Sequence, residues 1–112
     1  MAQYTNHFNV SFDRLLRYIE ENVLQGSASA SKEGGSDFDC KGVRCAVRVY
    51  ERYSWAGGNR LSLSITLFGK DGDVSLTAIT SGGSQAMFLK INTWGEKAFL
   101  DKFISQVEAY SE

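Results

Sequence analysis

The chain has 112 residues, 43% apolar and 22% charged, with a net charge of −1, the profile of one soluble globular domain spanning 1–112. The near-zero charge argues against a dedicated nucleic-acid binder, which carries a basic excess. No run approaches the ~18 apolar residues of a membrane span, and the first residues lack the parts of a signal peptide, so a cytoplasmic protein is expected.

Residues 3–10 alternate Tyr4, Asn6, Phe8 and Val10 against Thr5, His7 and Asn9, which predicts a first strand. A helix near 12–24 follows. Phe12, Leu15, Leu16, Ile19 and Val23 fall at helical spacing, with Ser11 at the cap, Asp13 in the first turn and Gly26 at the end. Residues 27–42 read either as two short strands about a Gly34-Gly35 turn or as a loop.

The stretch 43–91 reads as four antiparallel strands. Leu61, Leu63, Ile65 and Leu67 alternate with Ser62, Ser64 and Thr66. Closing Asp71-Gly72 as a two-residue turn, with positive φ at both positions, sets Leu67 opposite Leu76 and Ile65 opposite Ala78. A second turn at Ser81-Gly82-Gly83-Ser84 predicts a strand running to Ile91, with Ala78 opposite Met87, Leu76 opposite Leu89 and Val74 opposite Ile91. Upstream, Val43, Cys45, Val47 and Val49 form one row and Arg44, Ala46, Arg48 and Tyr50 the other. Placing the valines inward requires an odd loop around Gly57-Gly58-Asn59. That sets Trp55 opposite Leu61, Tyr53 opposite Leu63 and Glu51 opposite Ile65.

After Ile91 the period changes. Thr93-Trp94-Gly95-Glu96 has the capping-box pattern. Phe99, Leu100, Phe103, Ile104, Val107 and Tyr110 then make the apolar stripe of a long helix near 94–110. The expected fold is α+β: an antiparallel β-meander with an N-terminal helix and a long C-terminal helix packed on one face. Val47, Val49, Leu63, Ile65, Leu76, Leu89, Phe99, Phe103 and Val107 are expected to share the core.

Two resemblances add to this. The segments 60–67, 73–78 and 94–100 resemble the final strands and helix of helix-grip (START-like) proteins, which implies a sheet gripping the last helix, often around a ligand. The combination of 42–53, 81–87 and 94–101 looks like a family of small bacterial proteins known only as a domain of unknown function. It spans nearly the whole chain and implies no activity.

Catalytic signatures are missing. His7 has no triad partners in view, the serines lie in strand alternation without a nucleophile elbow, and Ser81-Gly82-Gly83-Ser84 serves as a turn better than as a phosphate loop. Cys40 and Cys45 are expected as free thiols, and with one histidine a zinc site lacks ligands, so neither metal nor cofactor is implied. Two non-enzymatic functions lead, with an enzyme ranked third. In the first, a small apolar or amphipathic ligand lies between the sheet and the C-terminal helix. Its pocket is lined by Glu51, Tyr53 and Trp55, with Glu51 breaking an apolar row unless a bulge turns it outward. In the second, the chain forms a homodimer through the outer sheet face, where this register puts Arg44, Arg48, Tyr50, Arg52, Phe68, Ile79 and Phe88. The bland alternative for that face is contact with water alone.

Overall fold

The structure, a computed structural model, describes residues 2–25, 29–54, 59–82 and 89–112. Strand β1 (Ala2–Phe8) leads into helix α1 (Phe12–Asn22). Strands β2 (Ser31–Cys40), β3 (Val43–Ser54), β4 (Asn59–Lys70) and β5 (Asp73–Gly82) form a meander, and helix α2 (Leu89–Glu108) follows. All pairings are antiparallel and the sheet order is β1-β5-β4-β3-β2. The α+β class is as the sequence predicts.

The β4–β5 hairpin has the expected register, with Leu67 opposite Leu76, Ile65 opposite Ala78 and Thr66 opposite Thr77. Its turn differs in one respect, since Gly72 (φ 85°) takes a positive φ and Asp71 does not. The turn is fastened to the start of α1. The Asp71 carboxylate accepts from the Phe12 N–H at 2.9 Å, Gly72 N–H donates to the Val10 carbonyl, and Asn9 donates to the Gly72 carbonyl. Ser11 caps the helix as expected, accepting from the Arg14 N–H. Asp71 thus supplies a second acceptor to the same helix terminus, in the position where negative charge is favoured.

The β3–β4 register departs from the expectation. Arg52 lies opposite Leu61, Tyr50 opposite Leu63, Arg48 opposite Ile65 and Ala46 opposite Leu67. The ladder ends at Ser54 and Asn59, leaving an even number of residues between them where an odd number was expected. The slip is three residues, with Arg48 in place of Glu51 opposite Ile65. Because side chains alternate with a period of two, an odd slip exchanges the faces of β3. Ala46, Arg48 and Tyr50 therefore lie under the helices, while Val47 and Val49 are on the other side.

Two further expectations are corrected. Gly34-Gly35 is no turn. Strand β2 runs through it, with Glu33 as the extra residue of a bulge between the pairs Lys32–Tyr50 and Gly34–Val49. The turn comes at Lys41 (φ 53°) and Gly42 (φ 84°), the two positive φ values of a tight type I′ hairpin. The strand to Ile91 is also replaced. Leu89 and Ile91 lie in α2, and β5 pairs instead with β1, placing Tyr4 opposite Ala78, Asn6 opposite Leu76 and Phe8 opposite Val74. Helix α2 begins before Thr93, so that residue is inside the helix and not at its cap. Met87 and Gly83 fall outside the described residues.

Both helices cover one sheet face. Phe12, Leu15, Leu16, Ile19 and Val23 meet Phe99, Leu100, Phe103 and Val107 over Leu61, Leu63, Ile65, Leu67, Val74, Leu76 and Ala78. Polar bonds tie α1 to α2: the Tyr18 hydroxyl donates to the Gln106 carbonyl and the Gln106 amide to the Asn22 carbonyl. The exchange of faces on β3 can be tested in dilute protein by urea unfolding. Phe103→Ala is expected to cost roughly 3–5 kcal/mol. Val47→Ala, outside the core, is expected to cost less than about 1 kcal/mol.

Candidate functional site

The expected site residues divide between the two faces of β3. Glu51 and Tyr53 stand on the outer face, where Glu51 pairs with Arg60 at 2.8 Å and Tyr53 is exposed. They do not line a pocket beneath the helices. Trp55 and Phe88 lie outside the described residues. Phe68 and Ile79 are on the outer face as expected, and both are exposed. Arg44, Arg48, Tyr50 and Arg52 are not there. Their strand parity carries them to the helix side.

On that side each arginine has a structural partner. Arg44 stacks over the Phe12 ring at 4.4 Å and pairs with Asp13, and Arg52 stacks over Phe99 at 4.6 Å. Arg48 is buried and fully engaged. Its Nε donates to Glu20 at 2.9 Å, Nη1 to the Val47 and Ser36 carbonyls, and Nη2 to both oxygens of Asp37. Gly35 makes this possible, because a Cβ there would stand 2.9 Å from the Val47 carbonyl oxygen and 3.0 Å from Arg48 Cδ. The cleft of about 270 Å³ beside it, lined by Lys32, Glu33, Gly34, Gly35, Asp37 and Arg48, contains no unmet donor of Arg48. Between sheet and helices, the gap bounded by Val23, Leu63, Phe99 and Phe103 has no room for a water molecule.

Among the described residues one buried polar side-chain atom is left over. Tyr50 is 1% exposed, and its hydroxyl has no hydrogen-bond partner among the described residues. Burial pushes its pKa up to about 12, with the Glu20 charge adding and Arg48 opposing.

No described helix lies on the outer face. Its cross-strand rows read Phe38–Cys45–Phe68–Ser75–His7, then Ser36–Val47–Thr66–Thr77–Thr5, then Gly34–Val49–Ser64–Ile79–Gln3. An apolar column on β3 is thus flanked by hydroxyl-bearing strands, with Phe38 63% and Phe68 55% exposed. The Thr5 and Thr77 hydroxyls bond to each other, as do those of Ser62 and Ser81. A hollow of about 210 Å³ lies at one end, lined by Val43, Phe68, Gly69, Lys70, Asp73 and Ser75. His7 pairs with Asp73 and Ser75 lies opposite His7, but no Ser75–His7 hydrogen bond completes a relay among the described residues. Phe38, Val43, Cys45, Val47 and Val49 were not expected on this face. Reading the β3–β4 connection as even would have placed the β3 residues there.

A family model described as a family of unknown function, DUF6054, matches residues 1–111. The chain belongs to that family. Searches of curated proteins and of solved structures return no match. Membership in DUF6054 agrees with the resemblance to a family without assigned activity and adds no site residues. Among the described residues no group of three or more His, Cys, Asp or Glu side chains is placed to hold a metal, and Cys40 and Cys45 are free thiols. No described helix is long and apolar enough to cross a membrane.

The Arg48 cluster makes a pH prediction. Partial burial pushes the Glu20 pKa up, but hydrogen bonds and charge from Arg48 and Lys32 outweigh it and leave the carboxyl below its ordinary value. A folded-state pKa below the unfolded one stabilises above the unfolded value of about 4.3, and that stabilisation is lost as pH falls through the folded pKa. Wild type is therefore expected to exceed Glu20→Gln in stability by a constant margin near neutral pH. That margin should shrink below about pH 4, as measured by urea unfolding across pH.

Proposed function

We propose that this DUF6054 chain is a non-enzymatic interaction module that self-associates through the outer face of its sheet. The supporting observation is the column of Val43, Cys45, Val47 and Val49 flanked by exposed Phe38, Phe68 and Ile79, on the face opposite both helices. Its central rows carry no charged side chain, so a second copy of the same face brings no like charges together at the middle of the contact. At strand and residue spacings of about 4.8 Å and 3.3 Å, five strands and seven residues span on the order of 550 Å² before side-chain relief. Two copies would bury an area near the lower end of stable interfaces, about 1,200 Å² in total. A weak, concentration-dependent dimer is the expected assembly. Sedimentation equilibrium should show it, and Val47→Asp should weaken it about 100-fold or more without lowering monomer stability. A wild-type chain that stays monomeric up to about 1 mM removes the reading.

The second reading is a small amphipathic ligand held between the sheet and α2, favoured by the Tyr50 hydroxyl alone. A buried hydroxyl without a partner costs about 1–3 kcal/mol unless something outside the chain supplies one. With no such partner, Tyr50→Phe should stabilise the chain by about 1 kcal/mol in thermal or urea unfolding. If Tyr50→Phe instead destabilises, and long-chain alcohols or carboxylates raise the Tm of wild type but not of the variant, the ligand reading leads.

A further inference from the structure

We propose that the two copies pack antiparallel, related by a two-fold axis that crosses the strands at the Val47–Thr66 row and brings Lys70 of each against the partner's Glu51. This rests on the self-association reading above and specifies its geometry. Charge on the outer face is segregated to its two ends. At one end Lys70 and the turn residue Lys41 make no ion pair among the described residues, while Asp73 is taken by His7. At the other, Arg60 serves two carboxylates, Glu51 at 2.8 Å and Glu33 at 3.6 Å, leaving an excess of negative charge.

The ladder places the axis. Glu51 lies opposite Ser62, and Thr66 is midway along β4 between Ser62 and Lys70. Thr66 pairs with Val47, so an axis through that row carries each end of the face onto the opposite end. It also lays Val47 on Val47 and sets Cys45 near the partner's Val49, keeping the apolar column in contact with itself. A two-fold axis parallel to the strands would instead stack the Lys70 ends on each other and the Glu51 ends on each other, opposing like charges across a drying interface. Sheets facing each other within about 30° of alignment pack about 10 Å apart, within reach of a lysine and a glutamate extended toward one another. Because the contact is isologous, each Lys70–Glu51 pair occurs twice.

Sedimentation equilibrium on the full chain tests this with Lys70→Glu, Glu51→Lys and the double variant. Each single change is expected to weaken the dimer about 10-fold or more, and the double change to restore it to within about 3-fold of wild type. An equimolar mixture of the two single variants should form heterodimers at near wild-type affinity. Because Glu51→Lys also removes a partner of Arg60, the exposed Lys70→Glu serves as the independent variant, with far-UV circular dichroism confirming its fold. A wild-type dimer broken by Val47→Asp but unmoved by Lys70→Glu, or a double variant weaker than both singles, overturns the antiparallel arrangement and leaves self-association standing. A monomeric wild type overturns both.

Discussion

Arg48 lies under α1 with 7% of its surface exposed, and three elements are positioned by the need to keep its charge paired. Taking a guanidinium out of water costs several kcal/mol unless its donors are met. Glu20 meets it from α1, Asp37 and the Ser36 carbonyl from β2, and the Val47 carbonyl from its own strand. Strand β2 depends on this more than its neighbours do. Its sequence, Ser31–Cys40, is nearly all polar and mostly exposed, so it brings little burial of its own to the sheet. Its backbone ladder and the Arg48 bonds hold it, and Gly35 is small where the Arg48 side chain crosses. The same pairing fixes how α1 sits over the sheet.

Burial of Arg48 also explains which parts of the fold were legible in the sequence. The β4–β5 hairpin was readable because alternation and turn chemistry agree: Leu61, Leu63, Ile65 and Leu67 admit one register around Asp71-Gly72. Strand β3 offered two rows, and the row of valines looked like core. The row with the arginines is inside because its partners are remote. Phe12 and Phe99 lie beneath Arg44 and Arg52, Glu20 answers Arg48, and Tyr50 fills more space than a valine. Arginine guanidinium groups stacked on aromatic rings give an inward face the composition of a solvated one. The Leu89–Ile91 run failed for a different reason, since a few apolar residues fit either period. The site inherits both outcomes. Phe68 and Ile79 sit on correctly read strands and were placed correctly, whereas every β3 residue was assigned to the wrong face.

The architecture favours association through the sheet face over association through its edges. An edge strand exposes unpaired N–H and C=O groups and invites another strand, and β2 carries recognised obstacles to this: a bulge at Glu33 and the charges of Asp37 and Asp39 along its length. The outer face has no comparable obstacle at its centre. Four of its hydroxyls pair off, Thr5 with Thr77 and Ser62 with Ser81, so removing their water strands fewer donors than an uncoupled set would. Charge is left at the two ends, where it can select orientation at little cost in desolvation. The modest area keeps the contact weak. A face of this size, with valines, two phenylalanines and Ile79 as its main apolar content, offsets the entropy of association by a small margin, which suits an assembly governed by the concentration of the chain.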